Sequence, residues 1–231
     1  MTDYTYDADS KHDCWYKTIC DNSKCSEFCL RHYKMNYLVY ATTMRDKQQH
    51  TIELKPPSED YNAFVELRDI KNNIELFVSS GKNLLIYSKF TGNGKTEWAK
   101  KLLLSWLDKI WASTDFECRG LFISMPKFIH AMKENISKSN SYYEYVNKNI
   151  INADLVVWDE INYKDWSTFE QDYMLGVISE RLALGKSNIY TTNYDLSIIE
   201  DKLGTRLASR IIGCSEHIEF KGRDQRGPVN D

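Results

Sequence analysis

Leu84-Leu85-Ile86-Tyr87-Ser88-Lys89-Phe90-Thr91-Gly92-Asn93-Gly94-Lys95-Thr96 decides the fold of this chain. An apolar run enters a glycine-bearing turn that closes on Gly-Lys-Thr, the order expected of a strand feeding a phosphate-binding loop at a helix N-terminus. Backbone N–H groups from Thr91 through Gly92, Asn93 and Gly94 would cup phosphates. Lys95 would reach the terminal phosphates, and the Thr96 hydroxyl would ligate magnesium. The usual pattern places a glycine five residues before Gly94; Lys89 stands there instead, so the entry to the loop is expected to differ.

The residues after the loop support this reading. Apolar side chains recur at positions 98, 99, 102, 103, 106, 107 and 110, which is the spacing of an amphipathic helix. Strand, glycine turn and helix in that order are the context the motif requires, and they make the chain a probable ATPase with an α/β fold.

At 231 residues the chain holds one α/β domain and a small appendage. The first ten residues are acidic and polar, and no apolar run approaches the roughly 20 residues of a membrane span, so a cytoplasmic location with no membrane partner is expected. A net charge of −3 does not call for duplex DNA or an anionic membrane, and any nucleic-acid contact must come from a local patch. Lys55-Pro56-Pro57-Ser58-Glu59-Asp60 reads as a linker, dividing an N-terminal module (1–55) from the ATPase domain (56–231).

Four of the six cysteines, Cys14, Cys20, Cys25 and Cys29, fall within the first thirty residues, separated by five, four and three residues. In a cytosolic chain such a cluster suits tetrahedral zinc, and a metal would supply folding energy to a segment with little core. His12 or His32 can replace one thiolate, and an iron–sulfur cluster or simple free cysteines are the alternatives. Cys118 and Cys214 stand alone in apolar stretches and read as small core residues.

Ala153-Asp154-Leu155-Val156-Val157-Trp158-Asp159-Glu160 is a buried-strand pattern ending in two carboxylates. Asp159 would hold magnesium and Glu160 would polarise the attacking water. Ser167-Thr168-Phe169-Glu170 is a capping box that opens a helix running to Leu184 and stopping at Gly185. Ser187-Asn188-Ile189-Tyr190-Thr191-Thr192-Asn193 is a further strand, and Asn193 at its tip could orient water against the terminal phosphate. Arg206 and Arg210 lie one helical turn apart on a shared face, where an arginine could reach a neighbouring subunit's phosphate or simply be solvated.

Residues 91–96, residues 155–160, Thr191-Thr192-Asn193 and the Arg206-Leu207-Ala208-Ser209-Arg210 run together resemble the AAA+ ATPases of the DnaC/DnaI helicase-loader family, phage-encoded versions included. The resemblance covers nearly the whole chain. Trp15-Tyr16-Lys17, the cysteines and Met35-Asn36-Tyr37-Leu38 look like that family's metal-binding head, and residues 220–226 look like its C-terminus. The resemblance implies a P-loop AAA+ core with a parallel sheet flanked by helices. It also implies Walker A roles for Lys95 and Thr96, Walker B roles for Asp159 and Glu160, sensor 1 at Asn193, and a trans-acting finger at Arg210 with Arg206 beside it. Arg181 also fits a family position. The ~20 residues after Arg210 are too few for the helical lid of most AAA+ proteins, a truncation shared by loaders and transposition helpers.

By the same resemblance the head binds a DnaB-type replicative helicase hexamer in a bacterial or phage-infected cell, and the ATPase domains self-associate around single-stranded DNA. Lys127, Lys133 and Lys138 lie about where the family contacts single strands, and Tyr142 or Tyr143 could stack on bases. An IstB-like transposition helper, an ATP-switched helicase adaptor with little turnover, and a small-molecule kinase are the competing readings. The Asp159-Glu160 pair and Asn193 suit attack by water better than transfer to an acceptor.

Overall fold

The computed structural model describes residues 29–44, 57–161 and 164–223. Strands β1 (Asn83–Tyr87), β2 (Gly120–Ser124), β3 (Leu155–Asp159), β4 (Ser187–Thr192) and β5 (Glu216–Glu219) form one sheet in the order β2-β3-β4-β1-β5, and every pairing is parallel. The helices are α1 (Leu30–Ala41), α2 (Tyr61–Asn72), α3 (Ile74–Ser79), α4 (Lys95–Ile110), α5 (Met125–Ser137), α6 (Ser141–Asn149), α7 (Thr168–Ala183), α8 (Leu196–Leu203) and α9 (Thr205–Gly213).

β1 and β3 carry near-continuous apolar runs and all of β4 is buried because both faces of the sheet are covered. Alternate side chains then serve two separate cores. Leu84, Ile86, Leu155, Val157 and Ile189 pack with residues of α1 to α4, whereas Leu85, Val156, Trp158 and Tyr190 pack with residues of α5 to α9. The amphipathic helix expected after the phosphate loop is α4, which buries Trp98, Ala99, Leu102, Leu103, Trp106, Leu107 and Ile110. The expected capping box opens α7: the Glu170 N–H donates to Ser167 Oγ (3.4 Å) and the Ser167 N–H donates to the Glu170 carboxylate (2.7 Å). Gly185 stops the helix with a φ of 65°, a conformation that glycine adopts without steric cost.

Two regions differ from the sequence reading. Residues 29–44, grouped with the N-terminal module, belong physically to the ATPase core: Met35, Leu38 and Val39 of α1 share a cluster with Leu103 and Leu107 of α4. The chain leaving α1 also runs along the free edge of β2. The Thr42 carbonyl accepts from the Phe122 N–H (2.8 Å), and the Thr43 hydroxyl donates to the Phe122 carbonyl (2.7 Å). This covers an edge that would otherwise invite pairing with another chain.

The second difference lies at residues 57–60, read as linker. Ser58–Asp60 forms a single 3-10 turn, and Asp60 is fully buried. Its Oδ1 accepts the N–H groups of Lys221 (2.6 Å) and Gly222 (3.0 Å), so this turn holds the chain that follows β5. The residues of the proposed metal-binding head before Cys29 lie outside the described residues. Among the described residues no helix is long and apolar enough to cross a membrane.

Candidate nucleotide site

The strand order places β4 between β1 and β3, so the carboxyl ends of these three strands lie side by side. Open parallel sheets bind ligands at such carboxyl ends. From β1, residues 88–94 form the phosphate loop leading into α4. Gly92 (φ 73°) and Gly94 (φ 98°) take left-handed conformations that a side chain would strain, which is why glycine stands at both. Lys89 has no positive φ, so the loop enters without needing the usual glycine. Its side chain turns outward and pairs with Asp195 at 2.9 Å, leaving the loop interior to other residues.

The loop is tied together from within. Buried Ser88 accepts from the Phe90 N–H (3.0 Å) and from the Asn93 side-chain amide (2.7 Å). Asn93 also donates to the Gly222 carbonyl (3.1 Å), linking the loop to the segment held by Asp60. Lys95 is 5% exposed, and its ammonium donates to the Phe90 carbonyl (2.7 Å) and to Asn93 Oδ1 (2.9 Å). A buried cation held by two neutral oxygens is poised to exchange them for an anionic phosphate.

On the facing side, Asp159 closes β3, and its Oδ1 accepts from the hydroxyls of Thr96 (2.8 Å) and Thr191 (2.7 Å). Burial raises the pKa of Asp159 above the ordinary carboxylate value, against the pull of the two hydroxyls and the cations Lys100 and Lys95. A hydroxyl beside a carboxylate at a helix N-terminus fits magnesium, which takes hard oxygen donors from one or two protein groups and the rest from phosphates and water. Thr96 and Asp159 would hold it and Lys95 would face the same phosphates. Glu160 follows in a left-handed conformation (φ 57°), with its N–H bonded to Thr191 Oγ1 (3.0 Å).

Asn193 lies just beyond β4 and is half-buried. Arg206 and Arg210 occupy α9 and are both exposed, while Leu207, Ala208 and Ile211 of the same helix turn inward. Among the described residues neither arginine has a hydrogen-bond or ion-pair partner, so the common face read from their spacing is available to a neighbour. Arg181 is different. It is fully buried at the other end of the sheet, donating to Asn188 Oδ1 (2.7 Å) and to the carbonyls of Ile150, Ala153 (2.8 Å) and Ser187 (2.6 Å). Burial lowers its pKa to about 10, which still leaves it charged at neutral pH. Its role is to bind the chain before β3 to α7 and β4.

The three lysines proposed for single-stranded DNA lie on or just after α5 and differ in their surroundings. The Lys127 ammonium sits 3.8 Å from the Tyr142 ring centroid beside a cleft lined by Pro126, His130 and Asn140. Lys133 pairs with the buried Glu170 at 3.1 Å, and Lys138 is exposed. Tyr143 stacks on Phe128 with ring centroids 5.7 Å apart, and both Tyr142 and Tyr143 are partly buried against the core beneath α5. Cys14, Cys20 and Cys25 lie outside the described residues; Cys29 stands half-buried at the start of α1. Among the described residues no cluster of three metal-ligating side chains occurs. Cys118 is partly buried as expected and burial raises its pKa to about 11, but Cys214 is exposed, because α9 ends at Gly213 and Cys214 caps it at the surface.

Sequence reading missed Thr191, Asn93 as an internal clamp, and Asp60. Thr191 was within a recognised strand, but its relation to Asp159 depends on which strands are neighbours.

No protein-family model and no curated protein matches the chain. Solved structures do. The DnaC helicase loader superposes with a TM-score of 0.59 at 22% identity, covering 75% of this chain and 96% of that one. DnaI gives a TM-score of 0.59 at 17% identity over 79% of this chain and 95% of its own. The replication initiator DnaA bound to AMPPCP and single-stranded DNA gives 0.57 at 18% identity, over 71% of this chain but only 47% of DnaA. The chain shares its fold, a parallel sheet flanked by helices with a glycine loop between β1 and α4, with the DnaC helicase loader and DnaI.

Proposed function

We propose that this chain is an ATPase of DNA replication that loads a replicative, DnaB-type hexameric helicase onto single-stranded DNA. The observation that carries the reading is the convergence of Lys95, Thr96, Asp159 and Glu160 at the carboxyl ends of β1 and β3, in a chain that matches almost the whole of the DnaC helicase loader. The loop amides and Lys95 bind the phosphates of ATP. Thr96 and Asp159 hold magnesium, which neutralises phosphate charge when bound. Glu160 accepts a proton from water, and Asn193 orients that water. Arg210, with Arg206 beside it, reaches the nucleotide of an adjacent subunit, so hydrolysis is slow until subunits assemble.

In this reading Lys127, Tyr142 and Lys138 contribute to the single-strand contact, the two lysines through phosphates and Tyr142 by stacking. Lys133 joins them only when it leaves Glu170. Cys14, Cys20, Cys25 and Cys29 hold zinc in a head that docks on the helicase; stoichiometric zinc in the purified full chain supports this, and its absence under reducing conditions rejects it.

The test is mass photometry of the full chain with its host's hexameric helicase, with and without ATP. A stoichiometric complex that Cys20→Ser abolishes supports the loader. A complex formed without ATP turnover leaves an ATP-switched adaptor. Turnover without any complex moves the assignment to a transposition helper, with duplex DNA as its ligand.

A further inference from the structure

Glu160 is one of two non-glycine residues with a positive φ among the described residues. A glutamate in that conformation is strained and persists only where its surroundings fix it. Thr191 provides the fixing contacts. Its hydroxyl donates to Asp159 Oδ1 (2.7 Å) and accepts the Glu160 N–H (3.0 Å), while its carbonyl accepts the Ile161 N–H (3.0 Å). Three consecutive residues at the end of β3 are thereby bonded to one residue of β4, which is only 2% exposed.

The hydroxyl has one proton and it goes to Asp159; the lone pair that remains takes the Glu160 amide. One side chain thus sets both the carboxylate on the magnesium side and the turn that directs the carboxylate on the water side. From this we infer that Thr191 is a positioning residue for ATP hydrolysis, acting through Asp159 and the backbone of Glu160. The inference rests on the hydrolytic reading above. Valine has the shape of threonine and neither of its polar functions, whereas serine keeps both. The pair therefore separates the hydroxyl from the packing.

The experiment compares wild type, Thr191→Val and Thr191→Ser as full chains. It measures ATP turnover at saturating magnesium, equilibrium ATP binding, and the magnesium concentration needed for that binding. Thr191→Val should lose turnover about 10- to 100-fold, as removal of an orienting partner does, with ATP affinity at saturating magnesium within about threefold of wild type. Thr191→Ser should turn over within about threefold of wild type. Asp159 Oδ1 loses one of its two hydroxyl donors in the Val variant, so the magnesium needed for ATP binding should rise about 10-fold.

A purely structural role would lower the melting temperature and leave the magnesium requirement in place. Wild-type turnover and magnesium requirement in Thr191→Val would overturn the inference, as would a Ser variant as impaired as Val. If wild type itself does not hydrolyse ATP, the hydrolytic reading fails on its own, and the magnesium titration decides Thr191. A requirement raised about 10-fold in Val supports its hold on Asp159; an unchanged one rejects it.

Discussion

The Thr96 hydroxyl donates to Asp159 Oδ1 over 2.8 Å, although 63 residues separate the two in the chain. It joins the first turn of the helix after the phosphate loop to the tip of β3. The proposed nucleotide and water-activating roles fall on separate residues around this bond, so each can be tested by its own substitution.

Lys95 is the charge on the nucleotide side, and its neighbours in the loop are neutral oxygens. Lys95→Ala should weaken ATP binding about 10- to 100-fold, the worth of one or two charge-assisted hydrogen bonds. Calorimetric titration with a non-hydrolysable ATP analogue measures this, and unchanged affinity would contradict the assigned site.

On the water side, Glu160→Gln keeps the size of the side chain and removes its basicity. Turnover should fall by about 10²- to 10⁴-fold while ATP affinity holds. Steady-state phosphate release alongside equilibrium binding distinguishes a hydrolase from a nucleotide-operated switch, in which release would be negligible in the parent protein as well.

Arg210 is exposed on α9 without an intramolecular partner among the described residues. Its loss should matter only in assemblies. Arg210→Ala is expected to lower turnover by about 10³-fold or more at concentrations where subunits associate, with little change in dilute protein. Equal rates for variant and parent across a concentration series would remove the finger role, and Arg206 would be the next residue to test.

Arg181 should behave in the opposite way, as a determinant of stability. Arg181→Met takes the guanidinium donor from the carbonyls of Ile150, Ala153 and Ser187 and leaves Asn188 Oδ1 with the Trp158 indole N–H alone, a loss of about 3–5 kcal/mol. Lysine cannot reproduce the planar fork and should rescue little. Urea unfolding followed by tryptophan fluorescence reads the difference.

Glu170 gives the fold a defined acid dependence. Burial by itself would raise its pKa, but Lys164, the Ser167 amide and Lys133 outweigh that and hold the carboxyl at about 2, against 4.5 unperturbed. Because the folded value is depressed, its stabilisation is fully present above pH 4.5 and is lost as pH falls from 4.5 toward 2. Allowing for the exposure of Lys133, Glu170→Gln should cost at most about 3 kcal/mol at pH 7. The gap between variant and parent in denaturant unfolding should close progressively below pH 4.5.

The phosphate loop, β1, α4, β3 and the capping box of α7 were legible in the sequence because each is a local pattern: a glycine pair, a helical apolar spacing, an uninterrupted apolar run, a serine three residues before a glutamate. Thr191 was not, since nothing in a run of threonines says which strand lies beside it. Asp60 looked like linker for a related reason: its partners, Lys221 and Gly222, are more than 150 residues away. Lys133 read as a single-strand contact because the carboxylate that faces it belongs to a different helix. Nor does the sequence show that Lys89, a departure from the usual motif, needs no positive φ and turns outward to Asp195.

The bond from Asn93 to the Gly222 carbonyl spans 129 residues. β5, which flanks β1 on the side away from β4, arrives with the same late segment. A ribosome adding about 5–20 residues per second makes Gly222 roughly 6–26 s after Asn93. During that interval the phosphate loop exists without the carbonyl that anchors its asparagine and without one of the two neighbours of its parent strand. A nascent chain therefore lacks the finished loop until the segment through Gly222 has been made, so the candidate nucleotide cradle is completed well after its own glycines are in place.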